Sequence, residues 1–254
     1  MLYICIPAYN EAPTIGVLLW RIRKTLEEFP REYELLVYND GSTDETAEAL
    51  ASYTKALPLT LLGGSTHVGY ARAVEELMRT VVQRTRYARR DAIIVLQGDF
   101  TDLPEHLPEL VRRFEGGADI VVTERAPNAL TPIPERRLRR IAPWLLRPFV
   151  TVDGVKDPFS AYRLYRVAVV RDALKAAGSR PFTQGDGWAA NVEFLLATMP
   201  HARRVESVEF APRYDIRPRP SRIRPLAAAV ALYRYGREAR GRHASADTPS
   251  VVAT

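Results

Sequence analysis

Leu2-Tyr3-Ile4-Cys5-Ile6-Pro7-Ala8-Tyr9-Asn10-Glu11 opens the chain with an apolar run that gives way to polar residues at its end. A run that is apolar on successive residues is what a strand buried on both faces of a parallel sheet requires. Outward from it, the pattern repeats. β-rich runs at residues 2–6, 33–38, 57–62, 92–96 and 120–123 alternate with amphipathic stretches at 14–29, 44–52, 69–84 and 104–114. Such alternation predicts an α/β domain, a parallel sheet carrying helices on both faces. Ser42 and Glu45 have the spacing of a capping box, which sets the start of the second helix.

The second half is less regular. Residues 126–134 hold Pro127, Pro132 and Pro134 and read as a loop. A basic amphipathic segment follows at 135–150, with Trp144, Leu145, Leu146 and Phe149 set against Arg136, Arg137, Arg139, Arg140 and Arg147. Helices are expected at 167–177 and 188–199, and a strand at 204–210. Residues 212–225 are rich in proline and arginine, and the tail from 241 is small and polar, with the composition of a disordered end. There is no internal repeat.

Composition bounds the function. Over 254 residues the formal charge is +6, which suits an anionic partner without choosing among nucleotide, lipid headgroup and nucleic acid. No nucleic-acid-binding motif is present, and the basic residues are not interleaved with stacking aromatics, so nucleic acid is not expected. The single cysteine, Cys5, lies inside the first strand run and points to a reducing compartment. Met1 leads directly into the apolar run with no basic n-region, and no stretch of about 18 apolar residues occurs, so neither signal peptide nor membrane span is expected. The expected location is cytoplasmic, or peripheral at the cytoplasmic face of a membrane.

In open parallel sheets, ligands bind beyond the carboxyl ends of the strands. The unusual polar residues fall at those ends. They are Pro7-Ala8-Tyr9-Asn10-Glu11, Asn39-Asp40-Gly41-Ser42, Gln97-Gly98-Asp99-Phe100-Thr101-Asp102 and Thr123-Glu124-Arg125. Four such clusters describe a site for a large polar ligand.

These residues also carry a family resemblance. Ile6 to Glu11, followed by Asn39 to Thr46, resembles the IPxYNE and DDGSxDGT openings of family 2 glycosyltransferases. The resemblance is nearest to the polyprenyl-phosphate (dolichol-phosphate) mannose and glucose synthase branch and extends over about residues 2–224. Asp157-Pro158-Phe159-Ser160-Ala161-Tyr162-Arg163 is similar to that branch's DxxSGFR element, and Glu209 with Arg217, Ser221 and Arg222 to its EVPxxxxxR…SK ending. The resemblance implies the GT-A fold, a Rossmann-like, mostly parallel sheet, and inverting transfer of a hexose from a GDP- or UDP-linked donor. It also implies the organisation: one catalytic domain over 1–224, its nucleotide-sugar half at 1–125 and acceptor half at 126–224. An amphipathic helix over 225–240 and the tail 241–254 complete the chain.

Residue by residue, the resemblance assigns Pro7, Tyr9 and Glu11 to the donor's base and ribose, with Tyr38 and Asp40 flanking the base and Asp40 accepting a hydrogen bond from it. Gln97 and Gly98 line the donor site. Arg125 meets phosphate or sugar, and Arg217 and Arg222 close on the diphosphate. The metal motif departs from the branch's DADxxH or DADLQ, because Gln97 replaces the first Asp. Asp99 keeps the central ligand position for Mg²⁺ or Mn²⁺, Thr101 takes the place of the Gln ligand, and Asp102 is a candidate third ligand. A departing diphosphate calls for a hard cation, and Mg²⁺ normally keeps several waters.

The acceptor is open between a lipid phosphate, which is already ionised, and a hydroxyl, which needs a general base. Asp186 is the base candidate, Asp157 the alternative, and Asp99 completes the catalytic set. Glu193 is read as an anchor and His106 as solvent-facing, while His67 is read as a surface residue, with approach of its glycine-rich loop to the donor as the alternative. The segment 135–150 is a candidate for lying in a membrane interface, with the arginines of 203–242 adding attraction to anionic lipid. Two competing readings are a soluble transferase acting on a small hydroxylated metabolite and a catalytically inactive basic membrane-binding relative.

Overall fold

β1 (Leu2–Ala8) is buried along almost its whole length, with Ile4, Cys5 and Ile6 fully inaccessible. It pairs in parallel with β2 (Tyr33–Asp40) on one side and β4 (Ala92–Val95) on the other, Cys5 lying opposite both Leu36 and Val95. The computed structural model describes residues 1–126, 131–146, 152, 154–211 and 225–246. The remaining elements are α1 (Ala12–Glu28), α2 (Thr46–Tyr53), β3 (Leu59–Gly64), α3 (Tyr70–Arg84), α4 (Leu107–Glu115), β5 (Ile120–Arg125), α5 (Ile133–Leu146), β6 (Arg163–Arg166), α6 (Val167–Ala177), α7 (Gly187–Thr198), β7 (Val205–Phe210) and α8 (Pro225–Ala246).

The sheet has seven strands in the order β3-β2-β1-β4-β6-β5-β7, parallel except for β6. It is the mostly parallel α/β sheet that strand–helix alternation predicts. Because β1 and β2 alternate side chains between faces, two cores form. On one face Ile4, Ile6, Leu35 and Val37 pack against α1, α2 and α4. On the other, Tyr3, Cys5 and Leu36 pack against α3, α6 and α7. α1 shows why: Ile15, Leu18, Leu19, Ile22 and Leu26 recur at helical spacing and are buried, while Pro13 sits in the first turn, where a missing N–H is harmless. Leu19→Ala there would cost about 2–5 kcal/mol. A third, smaller core joins α5, α7 and α8 through Leu138, Trp188, Val192 and Leu232.

Five expectations need correction. β6 was not anticipated: Arg163-Leu164-Tyr165-Arg166 reads as polar, yet Leu164 and Tyr165 bury on opposite faces and Arg163 is 1% exposed. The capping box does not form, because Ser42 Oγ accepts the Asn10 amide (2.9 Å) and Asp44 Oδ1 takes the Thr46 amide (3.1 Å), so α2 begins at Thr46. The loop expected at 126–134 ends early, since Ile133 and Pro134 already belong to α5. His106 is not solvent-facing: its ring stacks on Phe210 at 3.8 Å, and burial lowers the imidazole pKa. α8 runs to Ala246, past the expected end at residue 240. No helix of the described residues is long and apolar enough to cross a membrane.

Candidate active site

Chain order reverses between β1 and β4: from β1 the chain winds outward through β2 and β3, then crosses to β4 on the other side. A crevice must open there, above the carboxyl ends of the strands. The structure has a cleft of about 790 Å³ at this place, reaching from the β1, β2 and β4 loops across to α7 and α8. The only described non-glycine residues in left-handed backbone conformations, Asn10 (φ 51°) and Phe100 (φ 64°), sit on the two loops that flank the switch. Such strain persists only where surroundings enforce it. Asn10 is held by Thr43, whose amide donates to Asn10 Oδ1 at 2.7 Å, and Phe100 by its buried ring. Gly98 is closely approached, since a Cβ there would lie 3.3 Å from Glu11 Cγ and Glu11 would have to shift.

Ten of the expected site residues line this cleft: Pro7, Tyr9, Glu11, Asp40, Gln97, Gly98, Asp99, Thr101, Arg125 and Asp186. Tyr38 does not; one pleat below Asp40, it packs against the core on the α3 side. Asp102 and Asp157 also stand behind the wall. Arg217 and Arg222 lie outside the described residues, as do Arg147 and Phe149.

Asp40 is 3% exposed, and its carboxylate holds the loop before α3. Val68 N donates to Oδ1 at 2.6 Å, Gly69 N to Oδ2 at 3.1 Å, and His67 Nδ1 stands 3.0 Å from Oδ2. His67 is exposed, as expected of a surface residue, and at the same time lines the cleft. Glu11 is equally fixed: its amide donates to Thr46 Oγ1 (2.8 Å), and its carboxylate accepts the Thr14 hydroxyl (3.1 Å).

The metal question turns on Asp99 and Thr101. Asp99 Oδ1 accepts the Thr101 amide at 3.0 Å, which folds the loop into a tight turn. The Thr101 hydroxyl oxygen is buried and has no hydrogen-bond partner among the described residues. Leaving it so costs about 1–3 kcal/mol, an orphan that a cation or its bound water would satisfy. With Gln97 alongside, the donors are all hard oxygens and fit Mg²⁺ or Mn²⁺. Asp102 does not belong with them. Its Oδ2 lies 3.5 Å from Arg125 Nη2, and burial raises its pKa against the opposing pull of Arg125. No group of three or more His, Cys, Asp or Glu among the described residues is arranged to hold an ion by itself. The remaining ligands would come from water and a bound diphosphate.

Arg125 stands on the wall among carboxylates, with Nη1 3.1 Å from Glu135 Oε1. Asp157, expected as an alternative base, is committed elsewhere: Oδ2 accepts Arg139 Nη1 at 2.5 Å and Oδ1 accepts the Phe159 amide at 3.2 Å. Arg139 in turn lies over the Trp188 ring at 4.7 Å. Asp157 is therefore held in an ion pair behind the cleft wall rather than presented to the cleft. Asp186 is exposed on the cleft wall, and its Oδ1 accepts the Ala71 amide at 3.1 Å. Glu193, 7% exposed, braces the loop that carries Asp186 by accepting the amides of Gln184 (2.5 Å) and Gly185 (3.0 Å).

Tyr70, Glu135 and Asn191 also line the cleft and were not foreseen. The Tyr70 hydroxyl donates to Asn191 Oδ1 at 2.7 Å, and Asn191 Nδ2 donates to the Phe159 carbonyl at 3.0 Å, which ties α3 to α7 across the floor. Tyr70 was legible as the residue that follows a glycine-rich loop into a helix. Asn191 and Glu135 reach the cleft only through helix packing.

Comparison with known proteins agrees with this arrangement. Residues 3–174, more than half of the chain, match the family model "Glycosyl transferase family 2". An uncharacterized glycosyltransferase, YkcC, of Bacillus subtilis (strain 168) is 29% identical over 183 residues, covering 72% of this chain and 54% of that protein. An undecaprenyl-phosphate 4-deoxy-4-formamido-L-arabinose transferase of Photorhabdus laumondii is 30% identical over 123 residues, 48% of this chain and 36% of that one. The chain thus spans about half the length, or less, of these relatives. Among solved structures, glucosyl-3-phosphoglycerate synthase from Mycobacterium tuberculosis, in complex with Mn²⁺, UDP and glucosyl-3-phosphoglycerate, superposes with a TM-score of 0.60 at 18% identity, covering 100% of this chain and 83% of that one. S. aureus TarS 1–349 in complex with UDP gives 0.57 at 18% identity, over 83% and 59% of the two chains. With the matched region reaching from β1 through β6 and most of α6, and its strand-end loops forming the cleft, the chain belongs to glycosyl transferase family 2.

Proposed function

We propose that this glycosyltransferase moves a hexose, with inversion, from a nucleotide diphosphate to a polyprenyl phosphate. The carrying observation is one continuous cleft with two different ends. Toward β1, β2 and β4 it is polar, with Tyr9, Glu11, Asp40 and Asp99; toward α7 and α8 it is apolar, with Trp188, Ala227, Ala228 and Ala231. The polar end suits a sugar nucleotide. The apolar end leads to α5 and α8, which expose Ile133, Ile141, Trp144, Val230 and Tyr233 beside Arg136, Arg137, Arg140, Arg234 and Arg237. Apolar side chains among arginines suit an anionic lipid surface. The undecaprenyl-phosphate transferase relative and the UDP- and Mn²⁺-bound neighbour support the same reading.

The chain's residues divide the work accordingly. Asp99, Thr101 and Gln97 would hold a divalent cation, whose chemistry is to neutralise charge developing on the departing diphosphate. Arg125 holds a positive charge on the same wall, buffered by Glu135 and Asp102. A phosphate acceptor needs no base. The exposed carboxylate of Asp186 on the cleft wall favours a second reading, in which a small soluble alcohol is deprotonated there.

Nucleotide release from a panel of UDP- and GDP-sugars, with and without Mn²⁺, tests the activity, and undecaprenyl phosphate against water-soluble alcohols tests the acceptor. The proposal expects metal-stimulated release that rises with the lipid phosphate. Nucleotide binding without release under any condition would instead mark an inactive relative.

A further inference from the structure

Resting on the reading of this cleft as the nucleotide-sugar site, we infer that His67, oriented by Asp40, is the residue that reads the hydrogen-bonding edge of the donor's base. Asp40 acts on the base only through it.

The starting point is acceptor capacity. An ionised carboxylate offers about four lone-pair sites. Asp40 commits most of them to its own loop through three N–H groups: Val68 N donates to Oδ1 (2.6 Å), Gly69 N is shared between Oδ1 (3.3 Å) and Oδ2 (3.1 Å), and His67 Nδ1 stands 3.0 Å from Oδ2. At 5% exposure the side chain has little surface left to offer a ligand. His67 is the opposite case, with a side chain 55% exposed on the cleft wall.

The imidazole is also poised chemically. Its Nδ1 lies 3.0 Å from both Asp40 Oδ2 and the Asp40 carbonyl oxygen, two acceptors, so Nδ1 carries the hydrogen. In the neutral ring that leaves Nε2 as an acceptor, and Nε2 has no partner among the described residues. The Tyr9 ring stands 4.5 Å from the imidazole at a 37° tilt, so an aromatic face adjoins an acceptor nitrogen. A planar base with a ring N–H beside its carbonyls, uracil N3–H or guanine N1–H, matches both. The loop is locked in place, because Gly41 (φ +67°) lets the His67 backbone approach to where a Cβ would be 2.6 Å from its nitrogen.

The test is calorimetry on the full chain in mildly alkaline buffer, with UDP and its N3-methyl derivative, and GDP and its N1-methyl derivative. Variants are His67→Ala, His67→Phe, Asp40→Asn and the double variant His67→Ala/Asp40→Asn. Wild type should bind the unmethylated nucleotide it prefers about 10-fold more tightly than the methylated one, the scale of one hydrogen bond. His67→Ala and His67→Phe should each lose about 10-fold in affinity and nearly all of that discrimination. Asp40→Asn should abolish discrimination too, yet add little once His67 is alanine. Discrimination that survives in His67→Ala but disappears in Asp40→Asn would overturn the inference and return base reading to Asp40. Wild type binding neither nucleotide would sink the donor-site reading itself, a separate outcome. The exposed His67 variants keep the comparison readable even if Asp40→Asn misfolds.

Discussion

Asp186 Oδ1 accepts the backbone amide of Ala71 at 3.1 Å, so a residue from the loop before α7 caps the first turn of α3. Two residues earlier in α3's approach, the Gly69 amide is held by Asp40. One short segment, residues 67–71, is therefore suspended between the β2 loop and the α7 loop. The polar end and the apolar end of the cleft share this wall.

The structural contact of Asp186 can be separated by mutation from the proposed role as a base. Asp186→Asn retains an oxygen for Ala71, whereas Asp186→Ala loses the cap and should cost about 0.5–2 kcal/mol, read as a lower urea midpoint. With a phosphate acceptor, Asp186→Asn should keep turnover within a few-fold. A drop of about 100-fold or more in that variant, the scale of a lost general base, would show that a hydroxyl acceptor is the true substrate.

Asp99→Ala should remove the response of turnover to Mn²⁺ while circular dichroism stays native, since Asp99 Oδ1 accepts the Thr101 amide within its own loop. Thr101→Val should be milder, raising the Mn²⁺ concentration needed for half-maximal rate. Its hydroxyl has no hydrogen bond among the described residues to lose, so thermal stability should not fall. Activity indifferent to EDTA and to both changes would leave the diphosphate to the arginines alone.

Trp144 is 72% exposed and Ile141 47% exposed on α5. Burying such side chains in a lipid interface is worth about 1.5–3 kcal/mol each. The full chain should sediment with anionic vesicles at low salt and release at high salt, and Trp144→Ser/Ile141→Ser should weaken binding by roughly 10-fold or more on that scale. Nucleotide affinity should not change. Equal sedimentation with neutral vesicles and no salt effect would exclude the arginines from the interaction.

Asp119 gives a pH-dependent stability. Burial pushes its carboxyl pKa up, but the amide of Arg203 (2.8 Å) and the guanidinium of Arg166 (2.5 Å) outweigh it, and the net pKa is below the usual value. A depressed folded pKa adds stability above the unfolded value of about 3.9 and loses it as pH falls through the folded one. Asp119→Asn should therefore be less stable than wild type by about 1–3 kcal/mol at neutral pH, with the gap closing in acid. A gap independent of pH would mean the contact is not electrostatic.

Periodicity along the chain was enough to specify most of the architecture. Burial on both faces selects consecutive apolar residues, as in Leu2–Ala8, and a helix on a sheet selects the spacing of Ile15, Leu18, Leu19 and Ile22. Because ligands gather at strand ends, Tyr9, Asp40, Asp99 and Arg125 could be picked out as one group before any coordinates. β6 escaped because Arg163 is buried by its carbonyl partners, among them Asn191 O at 2.5 Å, and no local pattern announces that. Hydrogen-bond assignments escaped for the same reason. Which residues stand near the cleft follows from local rules. Whether Asp102 and Asp157 face a ligand or an arginine, and whether Asp40 is open to a base or already spent on Val68 and Gly69, depends on side chains brought together from distant elements. A carboxylate's chemistry is set by its nearest donors, and those donors are neighbours in space alone.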